Sequence, residues 1–370
     1  MRNATARGTT AWYAWRDLTS PKQAYAPAAL KLALDERVND FIGGRRTVDS
    51  LEMYAKAIGL LALSIVSYVY LVFHADTTAG VVTSAVVLAL ALVGIGFNVQ
   101  HDGNHGTFSR YTWVNRAAGF TLDLMGASSY FWKDKHNHNH HVHTNIPHED
   151  ADIDLGPMAR LSEDHTWHWW HRYQHIYLWV LYTMVHLRYL WSDLQRLAFG
   201  KKDGLTAGYP KGGDLVALLL GKAFFLTVAF VIPMRLHSVG SVLLVYVLVS
   251  MTMGVIFSIV FQLAHTVDTV EHPRVDDTNR AEWVVHQIET TANFAPTSRV
   301  LTFLLGGLNY QREHHLYPRM AHAHYPEIAG IVKQVCAEHG VPVRESHTLT
   351  DALKSHYRFV HRMGLKPATL

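Results

Sequence analysis

A single cysteine, Cys336, stands among 370 residues. That excludes an intrachain disulfide and any thiolate-cluster metal site, since both need more than one thiol. Charge is scarce as well. Asp, Glu, Lys and Arg together make up 17% of the chain, against roughly 25% in ordinary soluble domains. The net charge of +3 comes with no long basic run, which argues against a nucleic-acid partner. The first fifty residues mix charges with aromatics and carry no compact apolar core beside a cleavage site, so no secretory signal is expected. No internal repeat or low-complexity stretch stands out.

Histidine is what the chain has in excess, with 26 copies. The stretch from Lys135 to Asn145 reads KHNHNHHVHTN. On a helix, His136 and His140 share a face, with His141 one step round. Neutral imidazole is the commonest metal-binding side chain near neutral pH, so this spacing can aim two or three nitrogens at one point. A solvated helix that happens to be His-rich is the plain alternative for this segment alone. The pattern returns, however. His101 and His105 bracket HDGNH, and QREHH places Gln311, His314 and His315 within one turn. His265 follows Gln262 by three residues. Eight imidazoles exceed what one first-row ion accepts, so two ions suit them better. Imidazole alone leaves Zn, Cu, Fe and Ni open. Asp102 and Glu313 stand beside ligand candidates and could orient their rings. His138, His143 and His148 flank the second cluster without its spacing. His165, His168, His171 and His175 lie in a Trp-rich stretch and read as interface-lining. The role of His286 is open, while His322 and His324 read as surface or packing residues.

Two uncharged apolar runs, Ala57–Phe73 and Val81–Phe97, precede the first cluster, and two more, Leu215–Pro233 and Val239–Phe261, precede the third. About 17 apolar residues are the lower limit for crossing a bilayer. Four spans are therefore expected, at about 57–73, 81–97, 215–233 and 239–261, paired as two hairpins. Lys222 lies inside the third run near its inner end and reads as snorkelling to the interface. The short outer links hold only Arg235, and the long segments hold almost all remaining Lys and Arg, so those segments and both termini are expected on the cytosolic side. Tyr173 to Trp191 reads as an interfacial or bundle-packing helix, and Leu30 to Phe41 as a short amphipathic one.

Taken with their flanking words (TLDLMGASSYFWKDKHN, FQLAH and GGLNYQREHHLYPRMAHAHYP), the three boxes HDGNH, KHNHNHHVHTN and QREHHLYP resemble those of the membrane fatty acid desaturases. The likeness is strongest to the bacterial acyl-lipid and linoleoyl-CoA desaturase-like branch and covers roughly residues 90–335. It implies an all-α integral membrane protein, with four transmembrane helices and a cytosolic helical cap holding a di-metal site. It also implies two iron ions that activate O2 and abstract hydrogen from an acyl chain. Carried over by position, the ligands would be His101, His105, His136, His140, His141, His314 and His315, with His265 as an extra histidine. Gln311 takes a place often held by histidine, as in front-end desaturases, so it joins Gln262, Asp102 and Glu313 among candidates that bind metal or support its ligands.

The expected organisation is an N-terminal cytosolic or interfacial segment over 1–54, a membrane desaturase domain over 55–335 and a cytosolic tail over 336–370. Expected partners are membrane lipid, an acyl-lipid or acyl-thioester substrate and a separate electron donor. That donor would be a ferredoxin, a cytochrome b5-like protein or a flavin reductase, because the His-Pro-Gly-Gly mark of a fused haem domain is missing. Glu-x-x-His pairs of the soluble di-iron bundles are not found either. Two rival readings remain. A di-iron fatty acid or alkane hydroxylase would use the same boxes. A histidine-rich metal transporter would place ionisable groups at mid-membrane, where these runs have few.

Overall fold

The computed structural model describes residues 26–200, 207–273 and 283–367. Residues 1–25 of the expected N-terminal segment lie outside the described residues, as do 201–206, 274–282 and 368–370. The chain is mostly helical. Among the described residues, the strand pairing consists of Asn293–Phe294 beside Glu345–Ser346, in parallel.

Among the described residues, four helices are long and apolar enough to cross a membrane: Leu51–Phe73, Thr78–His105, Gly212–Leu236 and Val239–His265. All four expected runs are present, but each helix outlasts its apolar stretch toward the histidine clusters. Hydropathy falls at Phe97 and Phe261, whereas the helix continues because its polar residues find partners inside the protein. Asn98, for example, donates to the carbonyls of Gly94 and Leu304 at 2.9 and 3.0 Å. His101, His105 and His265 therefore sit on the ends of the spans themselves.

The first span packs along the second, and the second along the fourth. Thr77 caps the second span by accepting from the Gly80 amide, and Ser238 caps the fourth by accepting from Ser241. Each such cap satisfies a backbone donor that lipid could not. The outward faces are apolar and uncovered: Ile58, Val66 and Val69 on the first span, Val216, Leu219 and Leu220 on the third, and Leu244 on the fourth. An exposed apolar surface of this extent belongs in hydrocarbon rather than water. This is a membrane protein.

Tyr173–Trp191 is a packing element and not a span. It divides into Gln174–Thr183 and Val185–Phe199, both set against the fourth span. The break lies over Gly254, where a side chain would collide with the Thr183 carbonyl. Lys222 does more than reach the interface: its Nζ meets Asp193 Oδ2 at 2.7 Å. The end of the chain joins the packed body too. Helix Leu349–Gly364 buries Phe359, Val360 and Met363 beside Leu178 and Tyr182. Helix Pro27–Ile42, which includes the expected amphipathic stretch, packs on Tyr325–Glu338 and buries Leu30 and Leu34 with Val332 and Val335.

Candidate metal centre

Two π-turns shape the site. Gly96–Gln100 forms one immediately before the first box, and Asp134–His140 forms the other within the second. Such insertions recur at functional sites because they rotate the residues that follow. In the second box the His141 amide reaches back to the His136 carbonyl. The two rings consequently meet, with Nε2 atoms 3.3 Å apart. The α-helical expectation, His136 and His140 facing one point with His141 a step round, is corrected here. The wider turn aligns His136 with His141 and sends His140 toward a different group.

The first box is a five-residue helix, His101–His105, whose central Gly103 lies against Gly119. A Cβ at Gly103 would strike the Gly119 amide, so the close approach requires glycine. His314 and His315 lie on helix Gln311–Leu316 and are fully buried. His265 is the last residue of the fourth span.

All eight histidines singled out from the sequence come together. Ring nitrogens of His101, His105, His136 and His314 lie within 4.8 Å of one another, and so do those of His140, His265 and His315. His141 forms a third such group with His314 and His315, which places it between the other two. Trp132 covers one side, its ring stacked on His136 at 4.3 Å.

Hydrogen bonds on the far side of the rings decide which nitrogen faces inward. Gln287 donates its amide to the His141 carbonyl at 2.9 Å, leaving its Oε1 to accept from His315 Nδ1 at 2.7 Å. Tyr325 donates its hydroxyl to the Met320 carbonyl and accepts from His314 Nδ1 at 3.1 Å. The Thr290 carbonyl lies 3.4 Å from His265 Nδ1, and Asp150 Oδ2 lies 3.0 Å from His140 Nδ1. An oxygen acceptor at Nδ1 places the proton there and leaves the Nε2 lone pair for the interior. Nε2 of His101, His105, His314 and His315 is buried without a hydrogen-bond partner among the described residues. Buried polar atoms are ordinarily paired, so this constellation fits metal ions.

Charge agrees with that fit. Burial, then neighbouring imidazoles, holds His136, His141, His314 and His315 well below the ordinary histidine pKa. They are neutral near pH 7 and free to donate lone pairs. His140 differs. Burial acts downward on it, but Asp150, by charge and hydrogen bond, and Asp152 more than offset this and raise it.

The supporting candidates divide. Gln311 joins the second group, its amide Nε2 3.0 Å from His265 Nε2. Gln262 accepts from Thr266, the residue that follows its own helix, and Glu313 takes Arg312 and Asn293. Asp102 accepts from His322 and Thr107. The residues that orient the rings are Asp150, Gln287 and Tyr325, which spacing did not single out. Asp150 had a signal, as an acid shortly after the second box. Gln287 is the neighbour of His286, the residue that drew attention instead. His138 and His148 are exposed, and His143 pairs with Glu149 at 2.9 Å. In the Trp-rich stretch, His171 is buried against the Pro157 carbonyl. His322, read as surface or packing, is buried in a polar network.

A profile for fatty acid desaturases matches residues 77–347. The chain belongs to the fatty acid desaturase family. It is 36% identical to an sn-1 linoleoyl-lipid 6-desaturase of Arthrospira platensis, covering 91% of this chain and 93% of that one. An sn-1 linoleoyl-lipid 6-desaturase of Synechocystis is 32% identical over 90% of this chain and 94% of its own length. An acyl-lipid (8-3)-desaturase of Physcomitrium patens is 31% identical over 90% of this chain and 71% of its own. This membrane desaturase is accordingly an oxidoreductase of lipid metabolism.

Proposed function

We propose that this desaturase is a di-iron enzyme acting on acyl chains esterified in membrane lipid. One iron would be held by His101, His105, His136 and His314 and the other by His140, His265 and His315, with His141 between them. The observation that carries this reading is the set of buried, unpartnered Nε2 atoms of His101, His105, His314 and His315, the last two on rings oriented through Nδ1. When bound, the irons supply the oxidising power, drawn from O2, that removes hydrogen from an unactivated CH2 pair. The protein's own part is to keep the imidazoles neutral and oriented, to cover them with Trp132, and to position the chain.

An apolar cavity of about 730 Å³ between the four spans suits that last task. It lies within the roughly 300–1,000 Å³ common for ligand sites. Its inner wall includes Ile95, Met125 and Met253, which share a core with Trp132. In this reading the acyl tail lies in the cavity while the carbons to be oxidised stay at the histidines. The cyanobacterial relatives' substrates favour an acyl-lipid over an acyl thioester. The spans form two hairpins whose outer links, over 74–80 and 234–238, carry only Arg235 among Lys and Arg. The histidines and both termini then face the cytosol, in the cytoplasmic membrane if the cell is bacterial. Electrons come from a separate ferredoxin, cytochrome b5-like protein or flavin reductase.

Expression in a host without such an enzyme, followed by mass spectrometry of its lipids, tests the reading. A product two hydrogens lighter than its precursor is expected, and His140→Ala or His315→Ala should abolish it while the protein still inserts. A product one oxygen heavier would move the assignment to a hydroxylase.

A further inference from the structure

We propose that Lys56, His322 and Asp102 form a hydrogen-bonded chain that positions the first-box helix, making Lys56 and His322 positioning residues for the metal centre. The inference rests on the two-metal reading above. Lys56 lies on the first span, buried, with Nζ 3.0 Å from Asn98 Oδ1, 3.1 Å from the Phe303 carbonyl and 3.3 Å from His322 Nε2. An ammonium has donors only, so His322 Nε2 accepts. The ring's proton is then on Nδ1, 2.5 Å from Asp102 Oδ2, and is donated there. Asp102 sits inside His101–His105. The chain thus joins the first span, the first box and the segment after the third box.

Retaining this buried cation and carboxylate needs a reason. Charges taken from water carry a heavy desolvation cost, and well-packed apolar residues often serve stability as well or better. Geometry supplies one. His101 and His105 ride on the last turn of the second span, just past the π-turn Gly96–Gln100, where Gly103 lies against Gly119 and the Asn104 carbonyl accepts from Asn137 at 3.0 Å. The bond from His322 adds a tether at Asp102, the neighbour of His101, so the rotation of this turn past the π-turn, and the aim of both Nε2 atoms, is fixed at Asp102 as well as at Gly103.

The test uses purified full-length protein loaded with iron-57. Iron per chain, affinity against a chelator, the Mössbauer spectrum, chromatographic monodispersity, kcat and KM are measured together. His322→Leu and Lys56→Met are expected to remain monodisperse and to lose about 10–100-fold in iron affinity. Turnover should fall through kcat, with KM within about twofold and an altered Mössbauer spectrum. His322→Gln, whose amide can accept from Lys56 and donate to Asp102, should recover the wild-type spectrum. His324→Gln, on the same segment but bonded to the Arg46 carbonyl, should change nothing. If the leucine variant does not fold, His322→Asn decides, since its shorter amide cannot bridge both partners and should behave as a loss. Wild-type iron affinity and spectrum in the leucine variant, or in the asparagine variant, overturn the proposal alone. Wild-type protein without a tightly held pair of irons overturns the underlying reading and the proposal with it.

Discussion

His136 and His141 meet Nε2 to Nε2 at 3.3 Å because a π-turn, not an α-turn, carries the second box. His141 also groups with His314 and His315 and so borders both clusters. Its loss should be felt at both. His141→Ala is expected to lower bound iron to less than half the wild-type content. His265→Ala, which touches the second group only, should leave the first ion in place. Elemental analysis of purified variants measures this, and equal iron in the two would remove His141 from its intermediate position.

Asp150 acts on one ring. It lies 3.0 Å from His140 Nδ1 and also accepts the Asn145 and Asp152 amides. Asp150→Asn keeps a polar group of similar shape there but gives up the charge that raises His140 and strengthens it as a ligand. A loss of about 10–100-fold in metal affinity is expected, read by chelator competition. Unchanged affinity would mean that Asp150 serves the loop and not the ligand.

Much of this was legible in the chain, for identifiable reasons. The four spans follow from apolar runs at 57–73, 81–97, 215–233 and 239–261 whose one charge is Lys222, long enough to cross a bilayer. The boxes show because a metal site draws its ligands from helical turns, which leave regular spacings. The π-turns were not legible, since a spacing rule assumes an α-turn and shifts His140 and His141 by a step. Nor were Gln287 and Tyr325. Each lies far in sequence from the ring it orients or beside a more conspicuous histidine, and only tertiary packing selects it. His322 and Lys56 escaped for the same reason: a lone polar residue carries no periodic signal.

Lys222 within the third span was read as a side chain reaching outward, yet it faces Asp193 at 2.7 Å and the Gly126 carbonyl, with both partners largely buried. Lys222→Met leaves the Asp193 carboxylate without its main counter-charge. A loss of about 3–5 kcal/mol is the usual scale for breaking such a pair, and thermal unfolding in detergent should show a lowered midpoint. Adding Asp193→Leu should recover most of the loss, because the cost lies in the stranded charge. If the double variant is no better than the single, the pair is not what stabilises this corner.

Substrate length is open to a similar test, since the cavity between the spans is closed on the fourth by Val242, Val245, Val249 and Met253. If the acyl tail lies there, a larger side chain midway shortens the space without reaching the histidines. Val249→Phe should therefore lower turnover of eighteen-carbon chains relative to sixteen-carbon chains by about tenfold, the equivalent of about 1.4 kcal/mol in differential transition-state binding. Iron content should be unchanged, which separates a shortened cavity from a disturbed metal site. Competition between the two chain lengths in one assay gives the ratio directly, free of differences in expression. An unaltered ratio with normal iron would mean that the tail runs elsewhere, most simply along the exposed apolar faces of the spans.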